Sequence, residues 1–494
     1  MLPRKSGPQS CLDPAEKPLA TMMASMTLVA GIDSSTSATK IEVRDLDSGQ
    51  VVARGAAPHP VTHPPRSEQD PQTWWAAFAA AWTQAGAPTV AAISVAGQQH
   101  GMIVLDDDVH VVRPAKLWND TESAPDATWL IERLPGGAAA WAVACGTVPV
   151  ASLTVTKLAW LRRCEPESWR RLAHVVLPHD WLTLRLTGRL VTDRGDASGT
   201  GYWSPGTNRY RHDLLAIVDN ERDWSGALPR VLAPGEPAGR WGGAVVAAGT
   251  GDNMAGAMGV GLRHGDVAVS LGTSGTVYAV SAEPAADPSG AVAGFADATG
   301  RFLPLVCTLN ATKVTDAVRR LLGLDRVAFD ALALDAPAGA NGLTLLPYLD
   351  GERTPNRPDA AGVLAGLRTD VERADLARAA VEGVVCGLLD GLDALAAWTP
   401  TGGRLYVVGG GARSAAYRRM LSDLTGREVI VPEADEQVAA GACVQAAAVL
   451  TGAEPADVAE GWQLGSGVAV EPTLDPAVAA EVRAAYAALR DSTG

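Results

Sequence analysis

One short stretch of this chain is suited to proton transfer: Gly249-Thr250-Gly251-Asp252-Asn253. Glycines flank a carboxylate and an amide, and a carboxylate held in this way can take a proton from a substrate hydroxyl. The same residues also suit an Asx turn, with Asp252 bonded to its own backbone. His100 lies in a glycine-flanked turn, Gly97-Gln98-Gln99-His100-Gly101, between two apolar runs. It reads either as a satisfied structural group or as a ligand contact. Leu117-Trp118-Asn119-Asp120 joins an aromatic plate to hydrogen-bonding groups, as sugar sites do, although Trp118 suits a core equally well.

Two hairpins can supply an anion site. Val29 to Lys40 and Val267 to Val277 start roughly 240 residues apart, and each reads as an apolar run, small and hydroxyl residues, then a second strand-like run. Small residues let the backbone approach an anion, and exposed N–H groups and hydroxyls hold phosphate oxygens. Two such loops suggest a duplicated nucleotide-binding core with a cleft between its halves. Gly409-Gly410-Gly411 follows a predicted strand and precedes a helix, which sets backbone N–H groups where a phosphate or an adenosine can meet them. The chain has no GxxxxGK, which excludes a P-loop, and no GxGxxG between a strand and a helix.

The elements that must position these groups alternate between strand and helix, which predicts an α/β architecture. Asp70-Pro71 opens a helix carrying Trp74, Trp75, Phe78 and Trp82 on one buried face. Strands are expected at Val90 to Ala96 and Met102 to Leu105. A long helix is expected over Asp375 to Trp398, a strand at Leu405 to Val408, a helix ending near Thr425, and a strand at Val429 to Val431. A helix from Glu436 to Leu450 then closes the core. The 494 residues exceed one compact core, so two domains are expected, 26–243 and 244–494, with the boundary in a Pro-, Gly- and Ala-rich stretch. Residues 1–25 read as a disordered extension; Pro18 to Ile32 has a faint signal-peptide look, and Met22, Met23 and Met26 can each start translation.

Hydrophobic residues make up 47% and charged residues 19%, as in a folded soluble protein. The net charge of −14 argues against nucleic acid or an anionic membrane as partner. The six cysteines are scattered with no CxxC pair, which suits free thiols in a reducing cytoplasm and gives no zinc site.

Taken together, the motifs resemble the FGGY family of carbohydrate kinases. Gly31-Ile32-Asp33, Gln98-Gln99-His100-Gly101, Leu117-Trp118-Asn119-Asp120, Gly251-Asp252-Asn253, Ser270 to Gly275 and Gly409 to Ser414 fall in the family's order. Ser67 to Pro71, Lys157 to Leu161, Pro347 to Pro355 and Gly362 to Glu382 add to the likeness, which covers residues 27–450. The resemblance implies a two-domain, actin-like (ribonuclease H-like) α/β fold with a cleft that takes ATP, Mg²⁺ and a sugar. It makes Asp252 the general base and Asp33 the group acting on metal and phosphates. Gln99, His100, Trp118, Asn119 and Asn253, with Asp252, become the sugar contacts. Thr36, Ser37, Gly272, Thr273 and Gly275 are expected at the phosphates, and Gly410, Gly411, Ala412 and Ser414 at the adenosine. Leu117-Trp118-Asn119-Asp120 points to D-xylulose as acceptor, phosphorylated at its C5 hydroxyl as in xylose catabolism. Ribulose, xylitol, gluconate or glycerol are the alternatives, and a non-catalytic actin-fold switch or sugar sensor is a further one. A homodimer is implied by resemblance alone. The chain departs from the family pattern at Ser35 and Ala38, where glycine is usual, and at Gln99, where Met is frequent.

Overall fold

The computed structural model describes residues 26–493. The expected extension over 1–25, and Cys11 with it, lie outside that range. The other five cysteines are all free thiols. Among the described residues no helix is long and apolar enough to cross a membrane.

The first lobe is built on a mixed sheet. β1 (Leu28–Ser34), β2 (Ala38–Asp45) and β3 (Val51–Pro58) form a meander, and α1 (Pro71–Gln84) packs on it. Asp70 caps α1, its side chain accepting from the Gln72 N–H. Only Trp74 and Phe78 of the four aromatics are fully buried. Trp75 and Trp82 lie at the edge of the core, where Phe78 and Trp82 meet Trp241. β4 (Ala92–Gly97) runs parallel to β1. β5 (Gly239–Trp241), β6 (Ala244–Val246) and β7 (Thr250–Gly251) complete the sheet. Val245 and Val246 pair with Ala92 and Ile93, and Thr250 and Gly251 with Ala96 and Gly97, so the first sheet runs past Gly243. α2 (Asp252–Gly259) starts immediately after it.

The second lobe repeats the plan. β8 (Val267–Leu271) and β9 (Gly275–Ala279) form the second hairpin, extended by β10 (Ala293–Ala296) and β11 (Phe302–Thr308). α3 (Arg373–Ala396) threads its core. It starts two residues before Asp375, because Asp375 sits one turn in and its carboxylate accepts from the Glu372 N–H at 2.9 Å. β12 (Leu405–Val408) pairs parallel to β8, then α4 (Ala415–Thr425) leads to β13 (Val429–Pro432). α5 (Gln437–Thr451) does not close the core as expected. β14 (Gly467–Val470) still joins the sheet beside β13, and α6 (Pro476–Ser492) packs on α4.

α5 touches both lobes. A Cβ on Gly441 would overlap the Ala255 carbonyl of α2, and one on Gly31 would overlap the Ala439 carbonyl of α5. Cys443 donates to the Glu42 carbonyl of β2, and Gln445 bonds both Ser94 of β4 and the Gly249 carbonyl.

Candidate active site

The floor of the cleft is made by the carboxyl ends of three parallel strands. β4 lies between β1 and β7, with Asp33 and Thr250 both opposite Ala96, and Ser34 and Gly251 both opposite Gly97. Ligands of open α/β sheets bind beyond such ends. The register therefore brings together Asp33, the Gln98-Gln99-His100 turn and Asp252, which are far apart in sequence.

Asp252 is the first residue of α2, so it is not in an isolated turn. Its Oδ1 accepts from the Asn253 N–H at 2.8 Å and from Asn253 Nδ2 at 3.0 Å. Asn253 Nδ2 also donates to Gln99 Oε1 at 2.8 Å. Oδ2 of Asp252 has no partner among the described residues and is free to accept. Burial, then the like charges of Asp33 and Asp196, push the Asp252 carboxyl up to about 7. Asp33 is 4% exposed, its Oδ1 has no partner, and burial raises it to about 7 as well. A proton acceptor with an affinity near neutrality suits general-base work.

His100 adopts a left-handed backbone, φ 66°, which is costly for a residue with a side chain and marks functional sites. Its Nδ1 faces the Gly199 carbonyl at 2.9 Å, so Nδ1 carries the proton and Nε2 is left as an acceptor. Burial, with Lys157 and Arg353 nearby, lowers its proton affinity to about 3, so the ring is neutral. Trp118 Nε1 donates to Thr36 Oγ1 at 2.8 Å, and Thr36 donates on to Gln98 Oε1 at 3.1 Å. Gln99 Nε2 and Asn119 Oδ1 are buried without partners, as is Asp33 Oδ1. Buried polar atoms are nearly always bonded, so three orphans around one cleft mark places for substrate hydroxyls, water or metal ligands.

The expected phosphate and adenosine contacts differ in how free their groups are. The Thr36 hydroxyl is engaged by Trp118 and Gln98, so it orients the indole. Ser37 is exposed, with its carbonyl accepting from the His59 N–H. In the second hairpin Thr273 is exposed at the tip, and the Gly272 carbonyl accepts from the N–H and hydroxyl of Thr312. Gly275 is buried instead: a Cβ there would stand 2.6 Å from Leu388. Gly410 has open space where a Cβ would go, whereas one on Gly411 would meet Leu271 at 2.7 Å and Ala412 is in the core. The Ser414 hydroxyl caps α4 and donates to Asp330 at 2.8 Å.

Sequence reasoning gave no role to Gln98, which completes the Trp118 chain, or to Lys40, which bridges the lobes to Glu436 at 2.6 Å. It also passed over Arg353, half-buried beside His100 with no carboxylate partner among the described residues. Among the described residues, the one group of three carboxylates spaced for a metal, Glu68, Asp120 and Glu122, surrounds the fully buried Lys116 ammonium, which takes the cation's place.

A two-lobed α/β molecule with a nucleotide-type hairpin in each lobe and an acid–amide pair at the cleft floor is the plan of a sugar kinase. The chain belongs to the FGGY family of carbohydrate kinases: residues 28–259 match the family's N-terminal domain and 267–450 its C-terminal domain. It is 51% identical to a xylulose kinase of Streptomyces coelicolor, over 91% of this chain and 92% of that one. It is 39% identical to the xylulose kinase of Escherichia coli, over 81% and 85%. The crystal structure of xylulose kinase from Bifidobacterium adolescentis superposes with a TM-score of 0.84 at 41% identity, covering 94% of this chain and 99% of that one. The fold is therefore the actin-like ATPase fold of these kinases.

Proposed function

We propose that this kinase transfers the γ-phosphoryl group of ATP to the C5 hydroxyl of D-xylulose. The observation that carries the reading is the free Oδ2 of Asp252, held beside Asn253, Gln99 and His100 at the strand ends. The relatives named xylulose kinase, at up to about half identity along nearly the whole chain, support the acceptor.

Sugar hydroxyls would meet Gln99 Nε2, His100 Nε2, Asn119 Oδ1 and Asn253, with the Trp118 ring over one face. Asp252 takes the C5 proton as that oxygen attacks in line. Phosphoryl transfer depends mainly on positioning and charge stabilisation. Mg²⁺ fits beside Asp33. Its unpartnered oxygen is buried, with Lys40 and Glu436 both nearby, and magnesium is commonly held by one or two carboxylates together with substrate phosphates and water. Bound there, the ion would neutralise charge on the phosphates. Thr273 and the backbone of Gly272 face the phosphates, and the open surface of Gly410 leaves room for the adenosine.

ADP release by the purified protein with Mg-ATP tests this, across D-xylulose, D-ribulose, L-ribulose, xylitol, gluconate and glycerol. A clear preference for D-xylulose is expected. Preference for another acceptor would move the specificity, and no acceptor-stimulated turnover would overturn the assignment.

A further inference from the structure

Beneath the cleft floor lies a buried polar cluster that the reaction itself does not use. His179 is fully buried with its Nδ1 2.8 Å from Asp196 Oδ2 and its Nε2 3.2 Å from Asp180 and 3.7 Å from Asp193. It sits directly under two catalytic strands: a Cβ on Gly97 would stand 3.0 Å from its side chain and one on Gly249 2.6 Å. Three carboxylates around one imidazole hold it as the cation, pushed up to about 9.

Asp193 is the branching point. It is 3% exposed. Its Oδ1 accepts from the Asp196 N–H at 2.9 Å and its Oδ2 from the Gly195 N–H at 2.8 Å, capping the short helix Arg194–Ala197. Oδ2 also accepts from the Thr250 hydroxyl at 2.8 Å. Thr250 is two residues before Asp252. Downstream of the capped helix, Gly199 presents its carbonyl to His100 Nδ1 at 2.9 Å. Neither arm has slack. A Cβ on Gly195 would stand 2.8 Å from Thr250 Oγ1, and one on Gly199 would overlap the His100 ring. A helix cap needs only the two N–H groups. The third bond, to Thr250, adds nothing to the cap but ties the segment that aims His100 to the strand that aims Asp252.

We propose that Asp193 is a positioning residue for phosphoryl transfer: through Thr250 and the 194–199 segment it locks Asp252 and His100 into one frame. The inference rests on the roles given to those two residues above. Misplacing a reacting group by about 1 Å costs on the order of 10²-fold in rate.

Thr250→Val removes the tie and leaves the cap intact, so it isolates the link from folding. We expect kcat to fall roughly 10–100-fold, the KM for D-xylulose to rise severalfold, and the KM for ATP to stay put. Thr250→Ser keeps the hydroxyl and should recover most of the lost turnover. Asp193→Asn is the harsher companion, with folding checked by circular dichroism. A second readout needs no turnover: in histidine-labelled apo protein, the imidazole nitrogen signals of His100 should shift in Thr250→Val and return in Thr250→Ser. If another acceptor proves to be the substrate, the same kinetic comparison is made with it. If the wild type phosphorylates nothing, the functional assignment fails while the His100 signals still decide this one. Turnover by Thr250→Val within twofold of wild type, or an unmoved His100 signal, would overturn the proposal.

Discussion

The two hairpins have similar sequences and different interiors. The first, β1–β2, is laden with side chains that do something: Asp33 buried and unpartnered, Thr36 under the Trp118 indole, Lys40 reaching across to Glu436. The second, β8–β9, is nearly bare. Its tip is exposed, Gly275 is packed against Leu388, and its carbonyls are tied down by Ala311 and Thr312. On the function proposed above, one lobe offers fixed side chains to the reacting atoms, and the other offers backbone and hydroxyls to the nucleotide. A duplicated loop has been put to two uses, and the difference lies in what the strands bury behind it.

The contrast is sharpest at the acids of the first lobe. Asp252→Asn should lower kcat by about 10²–10⁴-fold, the range of a general base, with D-xylulose binding by calorimetry changed little. Wild-type turnover in that variant would sink the assignment. Asp33→Asn should cost turnover next most heavily and raise the Mg²⁺ concentration needed for half-maximal rate, read from a metal titration.

Smaller effects separate the two hairpins. Thr36→Val frees the Trp118 indole and should raise the KM for D-xylulose roughly 3–10-fold, the loss of about one hydrogen bond, with the KM for ATP unchanged. Thr273→Val should do the reverse. If both variants weakened the same substrate, the division of labour would be wrong. Within the second lobe, Gly275→Ala forces a methyl against Leu388 and should lower stability by about 1–3 kcal/mol in urea, whereas Gly410→Ala meets open space and should not.

The acids also predict a pH dependence. Asp252 must be ionised to act and is raised to about 7, so kcat should fall as pH drops through neutrality. For stability the sign is opposite. A carboxyl raised from 3.8 in the unfolded chain to about 7 holds its proton longer in the native state. Its contribution is complete below the unfolded value and is lost as pH rises through 7. Asp252→Asn should therefore raise Tm by a few degrees at pH 8 and by less at pH 5, measured by calorimetry.

Much of this architecture was legible in the residues. The hairpins, the strand at Leu405 to Val408 and the helix before Thr425 follow from alternation and capping, which are local. The expected grouping of Gln99, His100, Trp118, Asn119, Asp252 and Asn253 came from motif order; the sheet register accounts for the approach of the Gln99-His100 turn to Asp252 and Asn253. What stayed hidden depends on partners distant in sequence. No local signal says that the Thr36 hydroxyl meets an indole 82 positions on, or that Ser414 is taken by Asp330. Gly243 sits in a loop-like stretch, yet the short strands after it complete the first sheet because β4 has a free edge for them. Nothing local groups His179 with Asp180, Asp193 and Asp196; the fold does so, beneath Gly97 and Gly249. The core was expected to close with the helix ending near Leu450, but β13 has an open edge and β14 pairs with it.

α5 has a mechanical consequence. It runs behind the cleft floor, held to the first sheet through Gly31, Cys443 and Gln445 and to α2 through Gly441, while Ala440 and Val444 share a core cluster with Ala268 and Tyr406 of the second sheet. Such a helix is a shared spine. A methyl added at Gly31 would drive it off the first sheet and one at Gly441 off α2, so a single misfit on this helix would be felt by the strand carrying Asp33 and the helix carrying Asp252 together.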